Sequence, residues 1–205
     1  MQVSFHQVSK RYNYDWIFKN VDYQFNASQS YALTGPNGSG KSTLLKVLSG
    51  HLSPSKGKVE FVEGGKKIAV DEVYRRMSFA APYIELIEEL TLLEALHFHE
   101  RFKPFRQGLR PKDLLDFLAF SKAKDKQVRH FSSGMKQRLK LALAFCSETP
   151  LLLLDEPTTN LDKQGIVWYR QLVERFAAGR LVVVASNVEV DFDFCEQQLS
   201  ILDYK

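Results

Sequence analysis

Nine consecutive residues, Gly35-Pro-Asn-Gly-Ser-Gly-Lys-Ser-Thr43, limit the folds open to this chain more than any other feature. They fit the pattern GxxxxGK[ST], in which glycines let the backbone wrap so tightly that successive N–H groups point inward at phosphate oxygens. Tyr31-Ala-Leu-Thr34 reads as a buried strand running into the loop, and Lys41–Ser49 as a helix stopped by Gly50. That helix offers its positive end to the same anion. In such a loop Lys41 reaches the β- and γ-phosphates of a nucleotide, and the hydroxyl of Ser42 can ligate Mg²⁺. The remaining loop residues, Gly35, Pro36, Asn37, Gly38, Ser39, Gly40 and Thr43, form the cradle.

The rest of the chain repeats the strand-then-helix rhythm. Gln2–Val8 and Asn20–Phe25 are β-prone, Lys58–Val62 and Lys66–Val70 flank the hairpin signal Gly64-Gly65, and Met77–Ala81 is a short strand stopped by Pro82. The character then turns helical. Thr91–Phe102 carries an N-cap and capping box in Thr91 and Glu94, Pro111–Phe120 places proline near the first turn, and Gly134–Ser147 repeats apolar residues on one side. Strand Leu151–Asp155, helix Asp162–Ala178, strand Leu181–Ala185 and a last strand Gln198–Leu202 complete the chain. This order predicts an α/β core of mostly parallel strands carrying a helical lobe. The expected division is a core of 1–82 and 151–205 with a helical part over about 83–150, all within a single domain of 205 residues.

Leu151-Leu-Leu-Leu-Asp-Glu-Pro157 supplies a second element of chemistry. Four apolar residues form a buried strand that delivers Asp155 at its C-terminal end, where ligands gather in open α/β sheets. Asp155 is placed to hold Mg²⁺ through water, and Glu156 to orient or deprotonate an attacking water. A third segment, Phe131-Ser-Ser-Gly-Met-Lys-Gln-Arg138, opens a helix with the cations Lys136, Arg138 and Lys140 near its N-terminus, against the macrodipole. A solvated basic face would also explain it, but a helix end facing an anion gives the charges a purpose. Ser132 can donate its hydroxyl there, and Gly134 permits close backbone approach.

Taken in order, these segments resemble the ATP-binding cassette (ABC) family over nearly the whole chain. Phe131-Ser-Ser-Gly-Met135 is similar to the family's LSGGQ-type signature, and Thr159-Asn-Leu-Asp162 to its dimer loop. The resemblance implies a P-loop NTPase core, with an N-terminal antiparallel β-subdomain and a helical signature lobe. It implies ATP and Mg²⁺ as ligands, with Tyr12 stacking on adenine, a role for which neighbouring Tyr14 and Trp16 compete. It also implies a second cassette, in a homodimer, whose signature residues Ser132, Ser133, Gly134 and Met135 complete the nucleotide site of the first. Two positions depart from the family pattern. Pro82 stands where a glutamine is usual, without side-chain amide or backbone N–H. Asn187 stands where a histidine is usual, able to donate a hydrogen bond but not to become cationic. Slow hydrolysis is the expected consequence.

Partners follow from the same residues and from the composition. The 28 basic and 24 acidic residues, net +4, are interspersed without a dense basic run, so no nucleic-acid partner is expected. Cys146 and Cys195 show no metal-binding or redox spacing, and the first residues show no signal peptide, so a reducing cytoplasm is expected. No run approaches the roughly 20 apolar residues that span a bilayer. The expected role is that of an ATPase on the inner face of the cell membrane, held there by a transmembrane permease subunit contacted near Pro82–Glu89. An ATP-gated clamp or regulatory module with little turnover is the alternative, as is a soluble family member without a transporter.

Overall fold

A computed structural model describes residues 1–205. In chain order the elements are β1 (Gln2–Tyr12), β2 (Asp15–Phe25), β3 (Ser30–Thr34), α1 (Lys41–Leu48), β4 (Lys56–Glu63), β5 (Lys66–Ile68), β6 (Met77–Ala80), α2 (Leu92–Phe102), α3 (Pro111–Leu118), α4 (Ser133–Cys146), β7 (Leu151–Asp155), α5 (Lys163–Phe176), β8 (Leu181–Ala185) and β9 (Gln197–Ser200). The chain divides into two compact units, one of 1–77, 150–156 and 179–205, the other of 78–149 and 157–178.

The first unit holds two sheets. An antiparallel sheet runs β2-β1-β4-β5, and parallel strands run β7-β8-β3-β9. The strands β7 (LLLLD) and β8 (LVVVA) are buried at every residue. An unbroken apolar run suits a parallel strand covered on both faces, whereas the half-exposed β4 shows no such run. Helix α1 packs on β7 and β8 through buried Leu44, Leu45, Val47 and Leu48. An aromatic ladder, Phe5–Phe25 at 5.7 Å and Phe25–Tyr31 at 5.1 Å between ring centroids, joins the antiparallel sheet to β3. The Tyr31 hydroxyl, buried with the ladder, accepts from the Asn26 backbone N–H at 2.9 Å and donates to Gln29 Oε1 at 2.6 Å. A buried phenol with both capacities met costs little and fixes the turn between β2 and β3.

The second unit is built on α2, α3, α4 and α5. The capping box is formed: Glu94 N–H donates to Thr91 Oγ1 at 3.3 Å, and the Thr91 N–H donates to Glu94 Oε2 at 2.8 Å. Pro111 occupies the first turn of α3, whose buried Leu114, Leu115 and Leu118 turn inward. Between α4 and α5, Phe145 meets Tyr169 edge-on at 5.9 Å. Trp168 Nε1 donates to the Phe117 carbonyl at 3.0 Å, so the indole buries its face with its N–H satisfied.

Candidate nucleotide-binding site

The phosphate loop leaves β3 at Thr34 and enters α1 at Lys41. Its path requires glycine at two points. Gly35 has φ +143°, and a Cβ there would lie 2.7 Å from Ile201 Cγ2 and 2.8 Å from Ser39 Oγ. Gly40 has φ +107°, and its Cβ would meet Ile17 Cγ2 at 2.4 Å. Any side chain would therefore push the loop off β2 or open it. Lys41 is 5% exposed, and its ammonium bends back to donate to the carbonyls of Gly35 at 2.8 Å and Pro36 at 3.2 Å. Pro36, Asn37 and Gly38 are exposed, while Ser42 and Thr43 are half-buried in the first turn of α1.

Two observations of this loop fit a ligand rich in anionic oxygens. Ser39 Oγ is buried and has no hydrogen-bond partner. The N-terminus of α1 has no side-chain cap and no acidic residue in its first turn, so its orphan N–H groups and positive dipole end are met by no side chain. One contact lay beyond sequence reasoning: Lys205 Nζ donates to the carbonyls of Ser39 at 2.6 Å and Ile17 at 2.8 Å, tying the loop to β2.

Asp155 and Asn187 belong to the same sheet edge. In register, Leu33 of β3 and Asp155 of β7 both pair with Ala185 of β8. With parallel strands about 4.8 Å apart, Asp155 and the start of the phosphate loop stand about 10 Å from one another. Asp155 is 2% exposed. Glu156 follows with φ +44°, in the left-handed region, and its N–H donates to the Ala185 carbonyl at 2.9 Å. A non-glycine residue held there stores about 1 kcal/mol or more, which the pairing to β8 must hold in place. Beyond β8, the Ser186 N–H donates to the Leu33 carbonyl at 3.2 Å, and its hydroxyl donates to Asp191 Oδ2 at 2.6 Å. The Val188 N–H donates to that hydroxyl at 3.0 Å, closing a turn that leaves Asn187 exposed.

Of the aromatic residues at the β1–β2 hairpin end, Tyr12 is 47% exposed with Lys10 Nζ 5.4 Å from its ring centroid. Tyr14 is 93% exposed. Trp16 lies against two cations, Arg11 at 5.5 Å and Lys56 at 5.4 Å.

The signature segment lies in the second unit. Ser132 caps α4, its Oγ accepting from the Met135 N–H at 3.2 Å, so its hydroxyl proton is left to donate elsewhere. Ser133 is exposed; Gly134 and Met135 are half-buried. A Cβ on Gly134 would sit 3.0 Å from the Asn160 carbonyl oxygen. Buried Gln137 donates to the Pro157 carbonyl at 2.8 Å, and Asp162 caps α5 by accepting from the Gly165 N–H at 2.7 Å. The dimer-loop residues and the signature thus form one cluster.

The three cations near the opening of α4 each find partners within the second unit. Lys136 pairs with Glu88. Arg138 donates to the Leu118 carbonyl at 2.9 Å and lies over the rings of Phe120 and Trp168 at 5.0 and 4.7 Å. Lys140 donates to the Pro82 carbonyl at 2.9 Å. Sequence alone gives each cation no address, because all three partners lie far along the chain. Burial lowers the pKa of Lys140, with Lys136 adding to the effect and Glu85 opposing it.

Beside this cluster is a cavity of about 220 Å³ lined by Phe79, Ile84, Ile87, Phe98, Leu143 and His99, among others. His99 Nε2 lies 2.7 Å from Ser147 Oγ, which donates to the Leu143 carbonyl at 2.5 Å. A hydroxyl already donating must accept from the ring, so Nε2 carries the proton. Burial, with Lys103 nearby, holds His99 down to about 4, and the imidazole is neutral at physiological pH.

Comparison with known proteins agrees with this geometry. A family model described as ABC transporter matches residues 18–159. The cytochrome c biogenesis ATP-binding export protein CcmA of Idiomarina loihiensis is 30% identical over 190 residues, covering 92% of this chain and 87% of that protein. The lantibiotic transport ATP-binding protein SrtF of Streptococcus pyogenes is 33% identical over 187 residues, covering 88% and 78%. Among solved structures, the dimeric post-hydrolysis state of the ATP-binding cassette MJ0796, bound to ADP and Pi, superposes with a TM-score of 0.81 at 26% identity, covering 97% and 93%. With the phosphate loop and the Asp-Glu strand end on one sheet edge, the chain belongs to the ABC transporter family as one of its ATP-binding cassettes.

Proposed function

We propose that this cassette pairs head to tail with a second copy around ATP and hydrolyses it to drive a membrane transporter. The observation that carries the reading is the convergence of the phosphate loop, Asp155-Glu156 and Asn187 on the C-terminal edge of neighbouring parallel strands. The N–H groups of Gly35–Thr43 hold the phosphates, and Lys41 exchanges the Gly35 and Pro36 carbonyls for β- and γ-phosphate oxygens. The Ser42 hydroxyl and Asp155 hold Mg²⁺, which when bound neutralises phosphate charge. Glu156 takes the proton of the attacking water, and Asn187 donates to the γ-phosphate without titrating. Tyr12 stacks on adenine.

Ser132 to Met135 of one copy face the nucleotide of the other, so each site is completed by its partner in an isologous pair. The dimeric MJ0796 cassette supports this arrangement. No helix here is long and apolar enough to cross a membrane. In this reading a transmembrane permease chain, contacted near Pro82–Glu89 beside the apolar cavity, holds the cassette on the cytoplasmic face. Relatives named for export and transport support that role.

The test is Glu156→Gln with ATP and Mg²⁺. Turnover is lost, nucleotide binding persists, and size-exclusion chromatography shows an accumulated dimer. Unchanged turnover would transfer the water-activating role to another residue. Pro82 and Asn187 favour a second reading, an ATP-gated clamp with little turnover. Steady-state hydrolysis by the wild type, measured beside Glu156→Gln, separates the two: a clamp closes on ATP in both proteins and turns over in neither.

A further inference from the structure

The segment Pro82–Leu90 is anchored at both ends. At its far end the Val128 N–H donates to the Leu90 carbonyl at 2.9 Å, and the Arg129 N–H to the Glu88 carbonyl at 3.0 Å. At its near end Lys140 donates to the Pro82 carbonyl at 2.9 Å and, more weakly, to that of Ala81 at 3.4 Å. Between the anchors, Tyr83 and Ile87 remain 45% and 46% exposed. The Glu88 side chain pairs with Lys136. Lys136 and Lys140 are four residues apart on α4, so they share one face of the helix. One stripe of α4 thus holds both ends of the loop, and the same helix begins at the signature residue Ser132.

The chemistry explains why a long cationic donor is needed. Proline offers neither an N–H nor a side-chain amide, so its carbonyl is its only polar handle. A carbonyl needs a donor, and the Lys140 ammonium supplies a charge-assisted one at the end of a long reach. Lys136 and Lys140 also repel one another, with Glu85 and Glu88 offsetting that repulsion. Both of those carboxylates come from the loop itself.

We infer that Lys136 and Lys140 are positioning residues that clamp Pro82–Leu90 to α4, so that displacement of the loop displaces the signature end of the helix. The second half of this inference rests on the reading above, in which the signature closes on a partner's ATP. Force applied to the loop by a docked chain would then reach the signature through two ammonium groups.

The experiment has two arms on the purified cassette. The first uses no nucleotide: amide hydrogen exchange in wild type, Lys140→Met, Lys140→Arg and Lys136→Met, with melting temperature as the fold control. Lys140→Met is expected to speed exchange over Tyr83–Ile87 about tenfold while β7 is unchanged, and Lys140→Arg to restore protection. Lys140→Gln, which keeps only a shorter, neutral amide donor and should speed exchange less, replaces Lys140→Met if that variant fails to fold. Unchanged exchange overturns the clamp. The second arm places Lys140→Met in the Glu156→Gln background and measures the ATP concentration for half-maximal dimer. A rise of about fivefold or more is expected, and an unmoved midpoint overturns the transmission. If Glu156→Gln itself never dimerises, the head-to-tail reading falls, and with it the transmission, while the exchange arm still decides the clamp.

Discussion

At position 187 the side chain can donate a hydrogen bond but cannot take up a proton. Wild-type hydrolysis should therefore show no histidine-like inflection between about pH 6 and 7.5. Asn187→His should introduce one and raise turnover roughly tenfold, as measured by phosphate release across that range. His99 gives a pH dependence of a different kind, in stability. Its folded-state pKa is about 4, below the ordinary 6.5, so between those values the unfolded chain binds the extra proton. Stability from this group is complete above about 6.5 and declines as the pH falls towards 4, by about 1–3 kcal/mol in total. His99→Phe cannot titrate and should flatten that part of the curve in urea unfolding at pH 7 and pH 4.5. A parallel fall in both proteins would assign the loss to carboxylates instead.

Among the elements, β7 has most to lose from a truncated side chain. Leu153 is fully buried, pairs in register with Val183, and lies in a strand packed by α1. Leu153→Ala should cost about 3 kcal/mol and lower the melting temperature by roughly 6–12 °C in calorimetry. That strand was legible in the sequence because four leucines in a row admit few other uses. The parallel strands, α1 and the helical lobe were legible for similar reasons: continuous apolar runs, caps and glycine stops are local signals. The β1–β2 hairpin extends further than its sequence suggested, to Tyr12 and back from Asp15. Lys10, Arg11 and Trp16 there alternate no apolar face, and pairing with the neighbouring strand, not burial, holds them. Val70 opens a 3₁₀ turn instead of prolonging β5, and Ile201–Tyr204 is another instead of a strand end. The phosphate loop and the Asp-Glu pair are contiguous and so readable. The grip of Lys140 on Pro82 spans 58 residues and that of Lys205 on Ser39 spans 166, and no local pattern announces either.

Across the whole molecule, the chain passes between its two compact units four times, at Met77–Ser78, Thr149–Pro150, Glu156–Pro157 and Ala178–Gly179. The second unit is consequently not a severable insert with one entrance and one exit. Excising residues 78–149 would strand 157–178, and with them the apolar face of α5 that Trp168, Tyr169, Leu172 and Phe176 bury. An orphaned face of that size invites aggregation. A gene deleted for 78–149 alone should yield insoluble protein, checked by the fraction remaining in the supernatant after lysis. One of these crossings, Glu156–Pro157, falls directly after the residue proposed as base, which ends the middle segment of its unit. Exchanging the second unit for another would thus mean rejoining two separate segments at four joints, one of them directly after the proposed base.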